Sequence, residues 1–543
     1  MQASGIHHAE VILLLLLFLV GVLTTLSRRF QTPYPIVLVV GGLLLSFVPN
    51  LPRISLDPHV VFLVLLPPLI FAAAFNTSWH DFRFNLVSVT MLAFGLVGFT
   101  VLGVAVASEY LLPGFDWRLG LVLGAVICST DAIAATSIAA RVGLPRAIVD
   151  VLEGESLVND ATALLALEFA AGLVVSGQRP SVGEGALRLL LLVGGGLVVG
   201  LAAAWVIQRL QVRLTDPPIE ILLSLMAPYL SYLAAESLRA SGPLATVVCG
   251  LYLGRKRSEV FTTEARLENE AVWNTLDFLL NGVVFILIGL QLPFILDGIR
   301  TVRHTTLLFD AAILSVVVIA LRLLWMFPGV RIAYMIRTRL LGQRYPRPSN
   351  RTVFVLGWTG MRGVLALAAA FSLPRELEDG SPFPQRDVII FLTFAVILVT
   401  LVLQGLTLPT LIRRLGLCAP DPLVKAEREA RRRILQAALD YLASVEGEET
   451  GADAAVWQDA VHHYRDRYAL FDDKASAGGA NGDGHGSTQP NGWRSARDLN
   501  TRIRAAERVA LAKLRAEDVV SDHVLRKLER ELDLLDIRFV PPS

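Results

Sequence analysis

Residues 152–175 read LEGESLVNDATALLALEFAAGLVV, an apolar run of bilayer length whose first half carries Glu155, Ser156, Asn159 and Asp160. A hydrocarbon core about 30 Å thick takes roughly 20 apolar residues as a helix, and only helices and closed barrels satisfy their backbone there. Twelve more runs of helical length accompany it, at about 9–27, 35–49, 59–75, 86–112, 119–140, 187–208, 217–238, 243–254, 270–296, 307–330, 352–373 and 387–412. The expectation is an all-α polytopic membrane protein with about 13 transmembrane helices.

The rest of the composition agrees. Of 543 residues, 54% are apolar and 18% charged, against about 25% charged in soluble domains. Residues 421–543 hold 19 of the 49 Lys and Arg and 22 of the 48 Asp and Glu, so a membrane domain over 1–415 is expected to precede a cytoplasmic tail over 421–543. Net charge is +1, which gives no basic field for nucleic acid. Cys128, Cys249 and Cys418 are too few and too scattered for a disulfide framework or a metal cluster and read as packing residues. The first apolar run lacks a basic leader and a small-residue cleavage site, so it reads as a retained helix.

With the N-terminus outside, loops placed inside carry 19 Lys and Arg against 9 in loops placed outside. The positive-inside bias then puts the tail in the cytoplasm of a cell whose plasma (inner) membrane the chain crosses many times. Thirteen crossings also divide into two six-span repeats, about 9–175 and 217–412, joined by one linking span and entering the membrane from opposite sides, as in many secondary transporters.

Charges at mid-membrane cost about 2.5–3.5 kcal/mol each even on insertion scales, so each needs a partner or a task. Five stand too deep to reach the surface: Asp131, Glu155, Asp160, Arg322 and Arg362. In the quoted stretch Glu155 and Asn159 are i,i+4 neighbours, and so are Ser156 and Asp160, which makes two adjacent polar rows. Their oxygens, with Thr130 nearby in the fifth span, match the hard ligands of a desolvated alkali cation, and a carboxylate among them can take a proton instead. A purely structural reading pairs the carboxylates with the two arginines, and Glu155 with Arg322 suits it. Three acids against two arginines still leave one carboxylate for a proton or a cation, and the inference falls on Asp160.

The fifth span contains Cys128-Ser129-Thr130-Asp131 and the twelfth Gly357-Trp358-Thr359-Gly360-Met361-Arg362-Gly363. Each is the fifth of its repeat. Three glycines in seven positions, at up to about 1 kcal/mol each, predict unwinding of the twelfth span, with the fifth as its symmetry mate; close helix packing is the alternative use of those glycines. Broken helices expose half-helix dipoles that Asp131 at N-termini and Arg362 at C-termini would compensate.

These residues resemble a known family. Gly154-Glu155-Ser156-Leu157-Val158-Asn159-Asp160 is similar to the hallmark span of the monovalent cation:proton antiporter-1 family, the bacterial Na⁺/H⁺ exchangers related to animal sodium/proton exchangers. Thr130-Asp131, Arg322, the stretch from Leu280-Asn281-Gly282 to Leu292 and Met361-Arg362-Gly363-Val364 match family signatures too, and the resemblance spans about 10–415. It implies that Asp160 carries cation and proton, with Asn159, Ser156 and Thr130 beside it, that Glu155 pairs with Arg322, and that Asp131 sits where the unwound spans cross. It also implies a homodimer whose core bundle moves against a scaffold. Thr359, where relatives often have Arg, departs from the pattern, as does the acid Glu168, which could alter the ion vestibule.

One titrating carboxylate beside a non-titrating amide predicts electroneutral one-for-one exchange in pH and sodium homeostasis. The transported Na⁺ and H⁺ are the only small partners expected beside membrane lipid; no ATP motif or cofactor motif is seen. A passive cation channel or a K⁺/H⁺ exchanger could use the same polar path. An intramembrane hydrolase would need a His or Lys base that the spans lack. The tail predicts helices near 421–446, 452–470 and 493–535, a flexible linker over 475–492, and one buried face on the last helix, whose partner is open.

Overall fold

The computed structural model describes residues 2–49, 56–175, 182–214, 216–299, 303–343, 347–377, 379–417, 422–445, 452–469, 471, 493–517 and 520–537. Regular structure among them is helical, apart from one isolated bridge between Glu376 and Pro382. The chain divides into two compact units, Met1–Ala419 and Pro420–Ser543. The side chains of His7 and His8, Cys418 and the linker 475–492 lie outside the described residues.

In the first unit the helices are α1 (Gln2–Arg29), α2 (Tyr34–Leu45), α3 (Pro58–Asn76), α4 (Trp79–Leu111), α5 (Trp117–Ile127), α6 (Ala132–Val142), α7 (Arg146–Val175), α8 (Val182–Gln211), α9 (Pro217–Ser237), α10 (Gly242–Arg255), α11 (Thr263–Gly298), α12 (Thr305–Leu340), α13 (Asn350–Trp358), α14 (Val364–Phe371) and α15 (Arg386–Leu415). Each apolar run in the sequence coincides with a helix or a helix pair. Nine stretches among the described residues are long and apolar enough to cross a bilayer: α3, α4, α5 with α6, α7, α8, α9, α11, α12 and α15. The count of thirteen goes beyond these nine by four runs: α1 is not among the nine, α2 and α10 are only 12 and 14 residues long, and α13 and α14 are fragments of 9 and 8.

Helix starts follow the local chemistry. Ser78, Asp116, Asp131, Ser241, Thr262 and Ser349 each accept a hydrogen bond from a first-turn N–H of α4, α5, α6, α10, α11 and α13, as N-cap residues do. Gly143 (φ 71°) and Gly416 (φ 65°) end α6 and α15 in the left-handed conformation that glycine adopts without penalty. Pro67 and Pro68 follow a π-helical turn over Val61–Leu65 that loosens the ladder where proline supplies no N–H. Polarity is inverted relative to a soluble protein: Leu190 and Val198 on α8 are 68% and 67% exposed, whereas Arg322 and Arg362 are each 1% exposed.

Two long helices are interrupted, α5–α6 at 128–131 and α13–α14 at 359–363. Glycine serves a close approach at the second break, since a Cβ on Gly363 would stand 2.7 Å from the Asp131 Cβ. The two breaks touch directly, for the Asp131 backbone N–H donates to the Met361 carbonyl at 2.8 Å. Unwinding is therefore present in both, in the fifth and twelfth apolar runs in chain order.

The second unit contains α16 (Pro422–Ser444), α17 (Ala452–Ala469), α18 (Trp493–Ala516) and α19 (Asp522–Ile537). The single helix expected over 493–535 is two helices, parted by Ser521, whose carbonyl receives the Val524 and Leu525 N–H groups at the start of the second. The apolar spacing hid this division because both halves bury the same kind of face. Leu511, Leu514, Leu525, Leu528 and Leu532 pack on Ala430 and Ile434 of α16, which gives the buried face of the last segment its partner within the tail.

Candidate functional site

The two polar rows of α7 are turned to different surroundings. Ser156 and Asp160 line a cavity of about 270 Å³ enclosed by α3, the α5–α6 and α13–α14 breaks, α7 and α11. Glu155 and Asn159 are 1% and 0% exposed and point into protein. One helix thus separates a wet row from a dry one, as a 3.6-residue period allows.

In the dry row, Arg322 of α12 forks onto Glu155, Nη1 to Oε1 at 2.5 Å and Nη2 to Oε2 at 2.9 Å, both side chains being 1% exposed. Its Nη2 also donates to the Leu356 carbonyl at 3.2 Å, where α13 approaches its break. The bidentate guanidinium matches the planar carboxylate in direction as well as charge. Thr130 donates to the same Glu155 Oε1 at 3.2 Å and accepts from Asn159 Nδ2 at 3.0 Å. Asn159 Nδ2 also lies 3.4 Å from the Cys128 carbonyl.

In the wet row, Asp160 Oδ1 accepts from the Ser129 hydroxyl at 2.6 Å. Ser156 donates to the Thr130 carbonyl at 2.9 Å and accepts from the Ala132 N–H at 3.3 Å, which ties α7 to both sides of the first break. The hydroxyl that reaches Asp160 is that of Ser129, whereas Thr130 bonds Glu155 and Asn159. Sequence periodicity missed this because unwound backbone has no helical phase.

The breaks leave carbonyls and N–H groups outside any helix, and side chains take them up. Arg362 Nη1 donates to the Cys128 and Ser129 carbonyls at 2.5 and 3.1 Å, at the C-terminal end of α5. Asp131 Oδ1 accepts the Ile133 N–H at 2.8 Å, at the N-terminal end of α6. The Arg362 N–H in turn donates to Thr400 Oγ1 at 3.2 Å. Cation on the negative end and anion on the positive end is the arrangement that helix dipoles favour.

Asp277 also lines the cavity and accepts from Asn281 Nδ2 at 2.9 Å. Both residues lie within α11, which extends from Thr263, and their i,i+4 spacing was the signal available in the sequence for this pair. Glu153 and Arg146 complete the acidic and basic lining toward the start of α7. Glu220 and Asp310 are 0% and 8% exposed, and Glu220 Oε2 accepts from the Thr262 N–H at 3.0 Å. Glu168 is exposed, pairs with Arg188 of α8 and is not among the cavity-lining residues, since it lies two turns beyond Asp160 on the outer side of α7. The departing Thr359 is 2% exposed and bonds the Leu356 carbonyl at 2.9 Å. Among the described residues no group of three His, Cys, Asp or Glu has the geometry of a metal cage.

A crossing of two interrupted helices with buried compensating charges beside an intramembrane carboxylate defines a secondary ion carrier. The comparisons specify which one. The family model described as sodium/hydrogen exchanger, transmembrane, matches residues 14–414, and the chain belongs to that family of cation/proton antiporters. An uncharacterized Na(+)/H(+) exchanger of Mycobacterium tuberculosis is 33% identical over 99% of this chain and 98% of its own length. A sodium, potassium, lithium and rubidium/H(+) antiporter of Bacillus pumilus is 31% identical over 76% of this chain and 62% of its own, and a Na(+)/H(+) antiporter of Aphanothece halophytica is 32% identical over 78% of each. The sodium proton antiporter of Methanocaldococcus jannaschii shares the fold, with a TM-score of 0.57 at 20% identity over 76% of this chain and 99% of that one.

Proposed function

We propose that Asp160 is the carboxylate on which the cation and the proton alternate, and that the Glu155–Arg322 fork is structural. The observation that carries this reading is the difference in partners: Glu155 is neutralised by a bidentate guanidinium, whereas Asp160 opens on the cavity with a hydroxyl as its partner. A carboxylate so placed holds a cation through its charge or takes a proton in exchange, and competition for one site couples the two fluxes. Ser156 and the Thr130 carbonyl offer further oxygens at the cavity wall, and Asn159 and Thr130 brace the dry side. No cofactor and no enzymatic step enter the cycle.

One titrating carrier gives electroneutral exchange of one cation for one proton. Na⁺ is the proposed cation, with K⁺ the alternative that the printed breadth of the Bacillus relative supports. Counting helix directions along the chain, the cavity-lining Asn76, Thr136 and Arg146 belong to the same membrane face as the Arg-rich loops. The cavity is accordingly read as open to the cytoplasm, with the N-terminus outside, in the plasma membrane of a homodimer serving pH and sodium homeostasis.

The test is dissipation of an imposed pH gradient in proteoliposomes on adding Na⁺, K⁺ or Li⁺, with membrane potential recorded. Dissipation that needs Asp160 and leaves the potential unchanged is the expected result. Exchange that persists in Asp160→Asn overturns the carrier assignment, and a potential that moves with exchange overturns electroneutrality. Current without a coupled gradient would mark a channel.

A further inference from the structure

A second cavity of about 310 Å³ shares no lining residue with the first. It lies where α7 and α13 begin and α12 ends, bordered by Pro145, Ala147, Tyr334 and Ser349. Its depth is apolar, from Leu92, Ile148, Val151, Val330, Ala333 and Leu356, and its polar side presents Arg337 and Arg347. No aspartate or glutamate is among its lining residues.

The positive side is built in. Arg337 is 0% exposed and is oriented by Asn85 at 3.2 Å, by Gln343 at 3.1 Å and by the Phe84 ring, whose centroid lies 4.3 Å from the guanidinium carbon. Two helices of 30 and 9 residues, α7 and α13, start at this wall and add the partial positive charge of their first N–H groups. The volume is at the low end of ligand pockets, about 300–1,000 Å³. An apolar depth with a cationic rim matches a molecule that is apolar along its length and anionic at one end.

We propose that this cavity binds an anionic phospholipid of the surrounding bilayer. Its phosphate meets Arg347 and the starts of α7 and α13, and part of an acyl chain lies along Val330, Ala333 and Leu356. A soluble anion would satisfy the rim and leave the apolar depth unfilled, and a neutral lipid would fill the depth and leave the rim without a counter-charge. The walls are the helices that meet at the Glu155 fork: Val151 lies one turn before Glu155, and the Leu356 carbonyl accepts from Arg322. A lipid that fits one arrangement of α7, α12 and α13 better than another shifts the population toward it.

The full-length protein, delipidated in neutral detergent, is titrated with phosphatidylglycerol, phosphatidylcholine or glycerol phosphate while Tm and lipid retention by native mass spectrometry are followed. Phosphatidylglycerol is expected to raise Tm by several degrees and to remain bound, since a ligand of the native state stabilises it. Arg347→Gln is expected to lose most of that rise, and Ala333→Phe to exclude the lipid by filling the depth. Arg347 is exposed, so its variant should fold even if the filled cavity does not. An equal rise with phosphatidylcholine, an equal rise with glycerol phosphate, or undiminished binding in Arg347→Gln would each overturn the proposal, the second in favour of a soluble anion. None of these readouts depends on which carboxylate carries the ion.

Discussion

Glu155 and Asp160 stand five positions apart on one helix and have opposite circumstances. Glu155 is buried in protein and held by two guanidinium nitrogens; Asp160 opens on a cavity and is held by one hydroxyl. Both are carboxylates that the bilayer would penalise, and what differs is what each row of α7 faces. A charge matched by a guanidinium inside the protein contributes to the frame, whereas under the proposed assignment one held by a single neutral hydroxyl beside a cavity is available for transport. Chemical type alone does not decide the role.

The comparison breaks most sharply at Asp160. Asp160→Asn should abolish cation-dependent dissipation in proteoliposomes, by two orders of magnitude or more, with Tm near native, because the amide can neither lose a proton nor hold a cation by charge. If Glu155→Gln instead left Tm intact and stopped exchange, the roles would be reversed.

Next in size is the fork. Removing one partner of a buried pair strands the other and costs about 3–5 kcal/mol, so Arg322→Ala should lower Tm and the yield of folded protein strongly. The paired replacement Glu155→Leu with Arg322→Met should recover much of that loss. A tail pair provides the solvent-side control: Arg433 Nε reaches Glu429 at 3.1 Å with side chains 48% and 45% exposed. Exposed pairs contribute about 0–1 kcal/mol, so Arg433→Ala should change Tm far less than Arg322→Ala.

Smaller effects sharpen the wet row. Ser129→Ala deletes the bond to Asp160, and at about 1.5–3 kcal/mol for a hydrogen bond to a charged group it should weaken apparent cation affinity by roughly ten- to a hundredfold while exchange persists. Thr130→Val, which touches Glu155 and Asn159, should move Tm more than cation affinity. Near the end of the scale stands Glu427. Partial burial works against its charge, but hydrogen bonds from Lys527 and Arg431 outweigh that and hold its carboxyl below the ordinary value near 4.5. A depressed carboxylate adds stability above its unfolded pKa and loses it as pH falls through the folded one. Tail unfolding should therefore ease only below about pH 4.5, and Glu427→Gln should remove part of that acid sensitivity.

Much of this was legible in the sequence because lipid is a strict solvent. Apolar runs of bilayer length leave few structures to choose from, and charged residues inside them stand out, which is how Glu155, Asp160, Arg322 and Arg362 could be picked out before any coordinates. The glycines of the twelfth span announced its break. What stayed hidden depended on geometry without a period: which hydroxyl of Ser129-Thr130 turns to Asp160, and which face of α11 turns Asp277 to the cavity. The division of the last tail segment at Ser521 was hidden for the opposite reason, since its apolar spacing continues through the turn.

The bond from the Asp131 N–H to the Met361 carbonyl joins backbone to backbone across 230 positions of chain. No side chain takes part in it, so exchanging one side chain for another at either residue leaves its donor and acceptor in place, and proline at 131 is the substitution that deletes it. A joint of that kind is inherited through shape alone. It would persist while the letters on both sides of it drift, so the point where the two breaks are pinned need leave no trace in a residue-by-residue record.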